Sequence, residues 1–192
     1  EKKLALLSLP VAFAFILSQH LMNQYTKRHA MCLNEPERGN FFCTHSRTII
    51  LLATGSSITA LGLSLFLGFN PFLLLLIGTV GGLIYCVSTS MGSSWQLPGI
   101  HRIPGSKEFL VALAWSATAV WIPALAVGLG KIPWQTLVAT TVFSFLLAFY
   151  RTLLVDLEDI EGDQLVGRET LGAVLGYRGS YVLMRGILAA DI

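Results

Sequence analysis

Three observations mark this chain of 192 residues as an all-α bundle of transmembrane helices. Hydrophobic residues make up 54% of it and charged ones 12%, about half the charged share of a soluble domain. Mean hydropathy is +0.66. Five apolar runs each approach the ~20 residues needed to cross a bilayer, and charge is gathered between them. This composition excludes a disordered chain, a basic nucleic-acid module and a small disulfide scaffold. The whole chain, 1–192, reads as one transmembrane helical domain.

The first helix is expected over 4–24. Glu1-Lys2-Lys3 followed by an apolar run imitates a signal peptide, but no small-residue cleavage site follows and the run continues into Gln19, His20 and Asn23. The second and third helices, 48–68 and 70–89, are joined by Gly68-Phe69-Asn70-Pro71, a tight turn. The fourth and fifth, 108–129 and 133–151, are joined in the same way by Gly128-Leu129-Gly130-Lys131-Ile132-Pro133. A sixth apolar run from about Ser180 to Ile192 is too short to span, so the chain reads as a partial one. Gly55, Gly62, Gly78, Gly81 and Gly82 lie within the spans and predict close helix packing. Polar His20, Gln19 and Gln24 are expected to face the bundle interior.

Three connections, roughly 25–47, 90–107 and 152–178, are long and polar. Two spans separate each from the next, so all three share one side of the membrane. That side carries Lys27, Arg28, Arg38, Arg47, Arg102, Lys107, Arg151, Arg168 and Arg178; the other carries Lys2, Lys3 and Lys131. The positive-inside rule makes the long loops cytoplasmic.

The acidic residues are concentrated. Six of 11 (Asp156, Glu158, Asp159, Glu161, Asp163 and Glu169) fall within 14 residues where the fifth helix leaves the bilayer. Asp156, Asp159 and Asp163 stand at i, i+3 and i+7, on one face of a helix. A stripe of like charge is unfavourable without a cation between its members. Carboxylate oxygens suit a hard ion such as Mg2+, which is commonly shared with substrate phosphates. A solvated acidic helix end is the plain alternative.

The run D-L-E-D-I-E-G-D-Q-L-V-G-R-E-T-L (156–171) resembles the second aspartate-rich motif of the UbiA-type intramembrane prenyltransferases: D-x-x-D-x-x-x-D with Gly before the last Asp, then Gly and Thr-Leu. The family has nine helices around a central cavity. The layout here resembles its centre, with the first helix and the last two or three absent. Asn34-Glu35-Pro36-Glu37-Arg38 resembles the family's N-x-P-x-R. The preceding motif, N-x-x-x-D-x-x-x-D, is matched by Asn23, but Lys27 and Met31 stand where its two aspartates belong. Ile103-Pro104-Gly105-Ser106-Lys107-Glu108-Phe109, followed by Trp115, resembles the stretch before the family's fifth helix.

The resemblance implies transfer of an isoprenoid chain from an allylic polyprenyl diphosphate to a lipophilic aromatic or alcohol acceptor, within the lipid bilayer. It assigns Asp156, Asp159 and Asp163 as catalytic residues and Mg2+ ligands. Asn23, Lys27, Lys107 and Arg151 become diphosphate-binding residues, with Lys27 partly replacing one metal. Tyr150, between one and two turns before Asp156, becomes the aromatic face that steadies the allylic cation. The altered first motif leaves a second expectation: a catalytically inactive relative that binds a polyprenyl lipid or has a structural role.

Two further groupings stand apart. His29, Cys32, Cys43 and His45 bracket the first polar loop, but the spacing between Cys43 and His45 is tight for structural zinc. Three cysteines (Cys32, Cys43 and Cys86) cannot all pair within the chain, so no disulfide framework is implied.

Overall fold

The computed structural model describes residues 2–90, 105–158, 160 and 171–190, and every regular element in it is helical. Helix α1 (Lys2–Asn34) is followed by α2 (Pro36–Thr44), α3 (Ser46–Leu67) and α4 (Phe69–Ser90). Then come α5 (Ser106–Ser116), a π-helical turn (Ala117–Trp121), α6 (Ile122–Val127), a short 3-10 turn (Leu129–Lys131), α7 (Trp134–Glu158) and α8 (Leu171–Ala190).

Five segments are long and apolar enough to cross a membrane: Lys3–Thr26, Ser46–Leu67, Phe69–Cys86, Ser106–Val127 and Trp134–Leu157. They match the five expected spans closely, and the chain is a multi-pass membrane protein by length and composition. Their surfaces agree. In Trp134–Leu157 only 11% of the most apolar window is buried within the protein. Leu51, Phe66, Phe69 and Val182 are all more than two-thirds exposed. A water-soluble monomer rarely leaves so much continuous apolar surface uncovered, whereas lipid solvates it. The threonines obey the same constraint. Thr54, Thr59, Thr79, Thr118 and Thr152 each donate a hydroxyl hydrogen bond to the carbonyl four residues earlier, at 2.6–2.8 Å. No hydroxyl among these five is left to be solvated by hydrocarbon.

Differences from the sequence expectation lie at the span ends. The first long polar connection is largely helical. The first helix runs on to Asn34, where Pro36 turns Glu35 to extended backbone (φ −134°, ψ 80°) and ends it. Pro36 then opens α2, a position that needs no backbone N–H donor. The fifth helix likewise runs past 151 to Glu158, because Tyr150–Glu158 holds no helix breaker. The sixth run does not start near Ser180: α8 begins at Leu171, nine residues earlier, and is kinked at Gly176 (φ 63°, ψ 179°), a backbone state open essentially to glycine. The two tight turns hold as expected, with Gly68 (φ 124°) and Gly128 (φ 104°) at positive φ.

Among the described residues the core has three clusters; Val120, Ala124 and Leu137 form one, beside two others. Val11, Ala14 and Phe15 of α1 meet Ala60 and Leu67 of α3, Leu75 of α4 and Ile122 of α6. At the other centre, Leu153 of α7 packs with Met184 and Ile187 of α8. Helix α5 lies along α7, with an aromatic ladder of Phe109, Phe145 and Phe149 at centroid spacings of 5.3 and 5.9 Å. Of the span glycines, Gly78 and Gly82 do abut α1. A Cβ at Gly78 would come 3.1 Å from the Phe15 ring, and one at Gly82 would overlap the Gln19 amide. Gly55, Gly62 and Gly81 face nothing within 4 Å, so the close-packing expectation does not extend to them.

Candidate functional site

Three helix ends converge on Asp156: the start of α5, the last turn of α7 and the start of α8. Gly105 sits at the N-cap of α5 with φ +87°, and a Cβ there would lie 2.5 Å from Leu171 Cδ1. Gly172 lies against the opposite partner; its Cβ would stand 3.0 Å from the Asp156 carbonyl oxygen. Two residues without side chains thus let α8 begin in the angle between α5 and α7.

Asp156 is 1% exposed. Lys107 donates from Nζ to Asp156 Oδ1, an ion pair linking α5 to α7. Next to it, Glu108 is fully buried. Its Oε1 accepts the backbone N–H of Leu171 at 3.2 Å. That N–H is one of the orphan donors at the start of α8, and the helix dipole there favours negative charge. Each acid keeps one buried oxygen, Glu108 Oε2 and Asp156 Oδ2, without a hydrogen-bond partner among the described residues.

The electrostatics are uneven. Two carboxyl groups removed from solvent face one lysine ammonium and one helix N-terminus. Burying an unpaired charged oxygen costs several kcal/mol in general, a cost met either by a cation or by a proton held on one of the acids. Two hard oxygen atoms suit Mg2+ in kind. By itself the pair falls short of a full ligand set: among the described residues no three His, Cys, Asp or Glu side chains cluster to hold a metal. Asp159 and Asp163 lie outside the described residues.

Of the residues expected at the site, the structure brings Lys107 and Asp156 into contact. Arg151, before Asp156 on α7, is exposed, and its guanidinium stands 5.7 Å from the Trp115 ring centroid. Tyr150 is half-buried and packs against the Leu153–Met184–Ile187 cluster. Asn23 is on α1, which packs chiefly on α3, α4, α6 and α2; nothing described joins it to Asp156. Lys27 is on the same helix, but its side chain lies outside the described residues.

Glu108 was not among the expected site residues. Its signal was an acid at the first position of the expected span 108–129, now in the first turn of α5. The resemblance assigned a role to its neighbour Lys107 and none to Glu108.

Comparisons with protein-family models, with curated proteins and with solved structures return no match for this chain. The site therefore stands on its residues.

In the first loop, Cys32 and Cys43 are 4.0 Å apart, sulfur to sulfur. His45 turns its Nδ1 to the Phe41 carbonyl at 3.1 Å, and the His29 side chain lies outside the described residues. Among the described residues no third His, Cys, Asp or Glu clusters with Cys32 and Cys43 to hold a metal.

Proposed function

We propose that this chain acts as an integral-membrane prenyltransferase that moves an isoprenoid chain from an allylic polyprenyl diphosphate to a lipophilic acceptor. The observation that carries the reading is the buried Lys107–Asp156–Glu108 group at the membrane-exit end of α7, within a sequence that resembles the family's second aspartate-rich motif.

In this reading Asp156 and Glu108, together with Asp159 and Asp163, would hold Mg2+. Bound there, the metal supplies charge neutralisation on the leaving diphosphate. Lys107, a point charge already at the rim, turns from Asp156 to a phosphate oxygen. Arg151, exposed on the next turn, meets the outer phosphate. The apolar flanks of α5 and α7 keep water from the allylic carbon while its C–O bond breaks. The diphosphate leaves with the bonding electron pair, and the acceptor forms the new bond and loses a proton. Tyr150 offers the nearest aromatic face on α7 to the cation.

A second reading has its own observation. Lys27 and Met31 occupy the positions of the first motif's aspartates, which favours a relative that binds a polyprenyl lipid without turning it over.

The test is binding of a long-chain prenyl diphosphate to the protein in nanodiscs, with and without Mg2+. The transferase reading expects Mg2+-dependent binding that Asp156→Asn weakens by at least an order of magnitude, with diphosphate release once an acceptor is added. Binding that ignores both the metal and the substitution overturns it. Metal-indifferent binding of the lipid alone favours the second reading.

A further inference from the structure

Cys32, near the end of α1, and Cys43, near the end of α2, are brought together by the way the two helices cross. Gly39 is buried at the crossing. A Cβ at Gly39 would lie 2.5 Å from the Cys32 backbone nitrogen, 2.6 Å from its Cα and 2.6 Å from its Sγ. Any larger residue there would force the helices apart. Cys43 follows Gly39 by four residues, one helical turn, and so shares its face. The result is a sulfur–sulfur separation of 4.0 Å between two half-buried thiols.

We propose that Cys32 and Cys43 are a redox-active dithiol, closing to an intramolecular disulfide by exchange with a small-molecule disulfide. A bonded pair requires an S–S length of about 2.05 Å, so the sulfurs must approach by about 2 Å. Side-chain rotation supplies most of this, because both cysteines stand in the last turn of their helices, where the backbone is easiest to adjust. The contact is local, needs no movement of a span, and leaves buried Cys86 of α4 out of the chemistry.

The exchange proceeds in two steps. The Cys43 thiolate attacks one sulfur of the small disulfide, forming a mixed disulfide and expelling one small thiolate. Cys32 then loses its proton and attacks the Cys43 sulfur, expelling the second. Two S–H bonds are lost and one S–S bond is formed; two electrons reduce the small disulfide to two thiols, which carry away both protons. Partial burial and the adjacent Cys43 push the Cys32 thiol up from its ordinary value, consistent with its role as the second, resolving thiol. On the cytoplasmic side that the charge distribution predicts for this loop, the pair rests reduced and closes under oxidative load. Closure ties α2 to the end of α1, the helix that also carries Asn23 and Lys27.

The full chain in nanodiscs, reduced and then exposed to graded mixtures of oxidised and reduced glutathione, tests this. Free thiols are trapped with N-ethylmaleimide and peptides read by mass spectrometry. The expected product is a Cys32–Cys43 linkage, two hydrogens lighter than the dithiol and reopened by dithiothreitol. Gly39→Val slows its formation by an order of magnitude. Cys32→Ser, which removes the resolving thiol without touching the crossing, accumulates glutathione on Cys43. Separate glutathione adducts on both wild-type cysteines, or linkage only between chains, overturns the proposal. So does copurified zinc that shields both thiols, or failure of Cys32→Ser to trap an adduct.

Discussion

Glu108 does two jobs with one carboxyl group, and the two are separable by substitution. One oxygen caps the start of α8 through Leu171, and the other is buried without a hydrogen-bond partner among the described residues. Glutamine keeps the acceptor and removes the opposing acid. Alanine leaves a buried N–H without a partner, at a cost of about 1–3 kcal/mol. Glu108→Gln is therefore expected to unfold thermally at or near the temperature of the parent protein in detergent, and Glu108→Ala well below it. Equal losses for both would show that the cap is not what Glu108 contributes. Cys32 makes a second prediction at this scale. Burial and Cys43 raise its thiol pKa, so at a given pH a smaller fraction is thiolate, the form that reacts. Its alkylation by iodoacetamide is expected to be slower than that of an unperturbed thiol at mildly alkaline pH. The rate should keep climbing with pH beyond the point where an ordinary cysteine levels off. Peptide-resolved labelling across a pH series checks both.

At the scale of elements, the site depends on how closely α8 approaches α7. Gly172 has the Asp156 carbonyl oxygen 3.0 Å and the Ile160 Cγ1 3.3 Å from where a Cβ would stand. Backbone does not step aside as a side-chain tip does. Gly172→Val must push the start of α8 outward, costing about 1–3 kcal/mol, and breaks the bond from Leu171 to Glu108. The expected result is a lower unfolding temperature together with faster proteolysis near Leu171; unchanged cleavage there would contradict the packing. By contrast, Gly55→Ala, on α3 with open space around its Cβ, should be neutral. The π-helical turn Ala117–Trp121 belongs to this scale as well. It widens the fourth span ahead of Pro123, whose missing N–H would otherwise interrupt the helix.

For the molecule as a whole, the apolar exterior and the charge asymmetry make a topology prediction. Cys32 and Cys43 belong to the first long connection, while Lys131 lies in the tight turn before α7. An impermeant maleimide should label the native pair only in vesicles that expose the cytoplasmic face. In Lys131→Cys, the new thiol should label only from the opposite side. Labelling of both from one side would overturn the arrangement of spans. The protein should also stay in the membrane fraction through alkaline carbonate and be released by detergent.

The number, order and approximate limits of the five spans were legible in the sequence. Each is written locally, as a run of apolar residues that no other part of the chain has to complete, and Gly68 and Gly128 mark the turns by themselves. Asp156 was singled out for the same reason, since the spacing that points to it lies within one segment. What the sequence could not disclose was partnership across segments. That Lys107 reaches Asp156, 49 positions away, that Glu108 caps a helix starting 63 positions later, and that Gly39 seats Cys43 over Cys32 all depend on how helices cross. Helix crossings are set by the side chains missing at Gly39, Gly105 and Gly172 as much as by those present, and a missing side chain acquires meaning only when its neighbour in space is known. Local hydropathy determined which segments enter the membrane; tertiary packing decided which buried charges meet there.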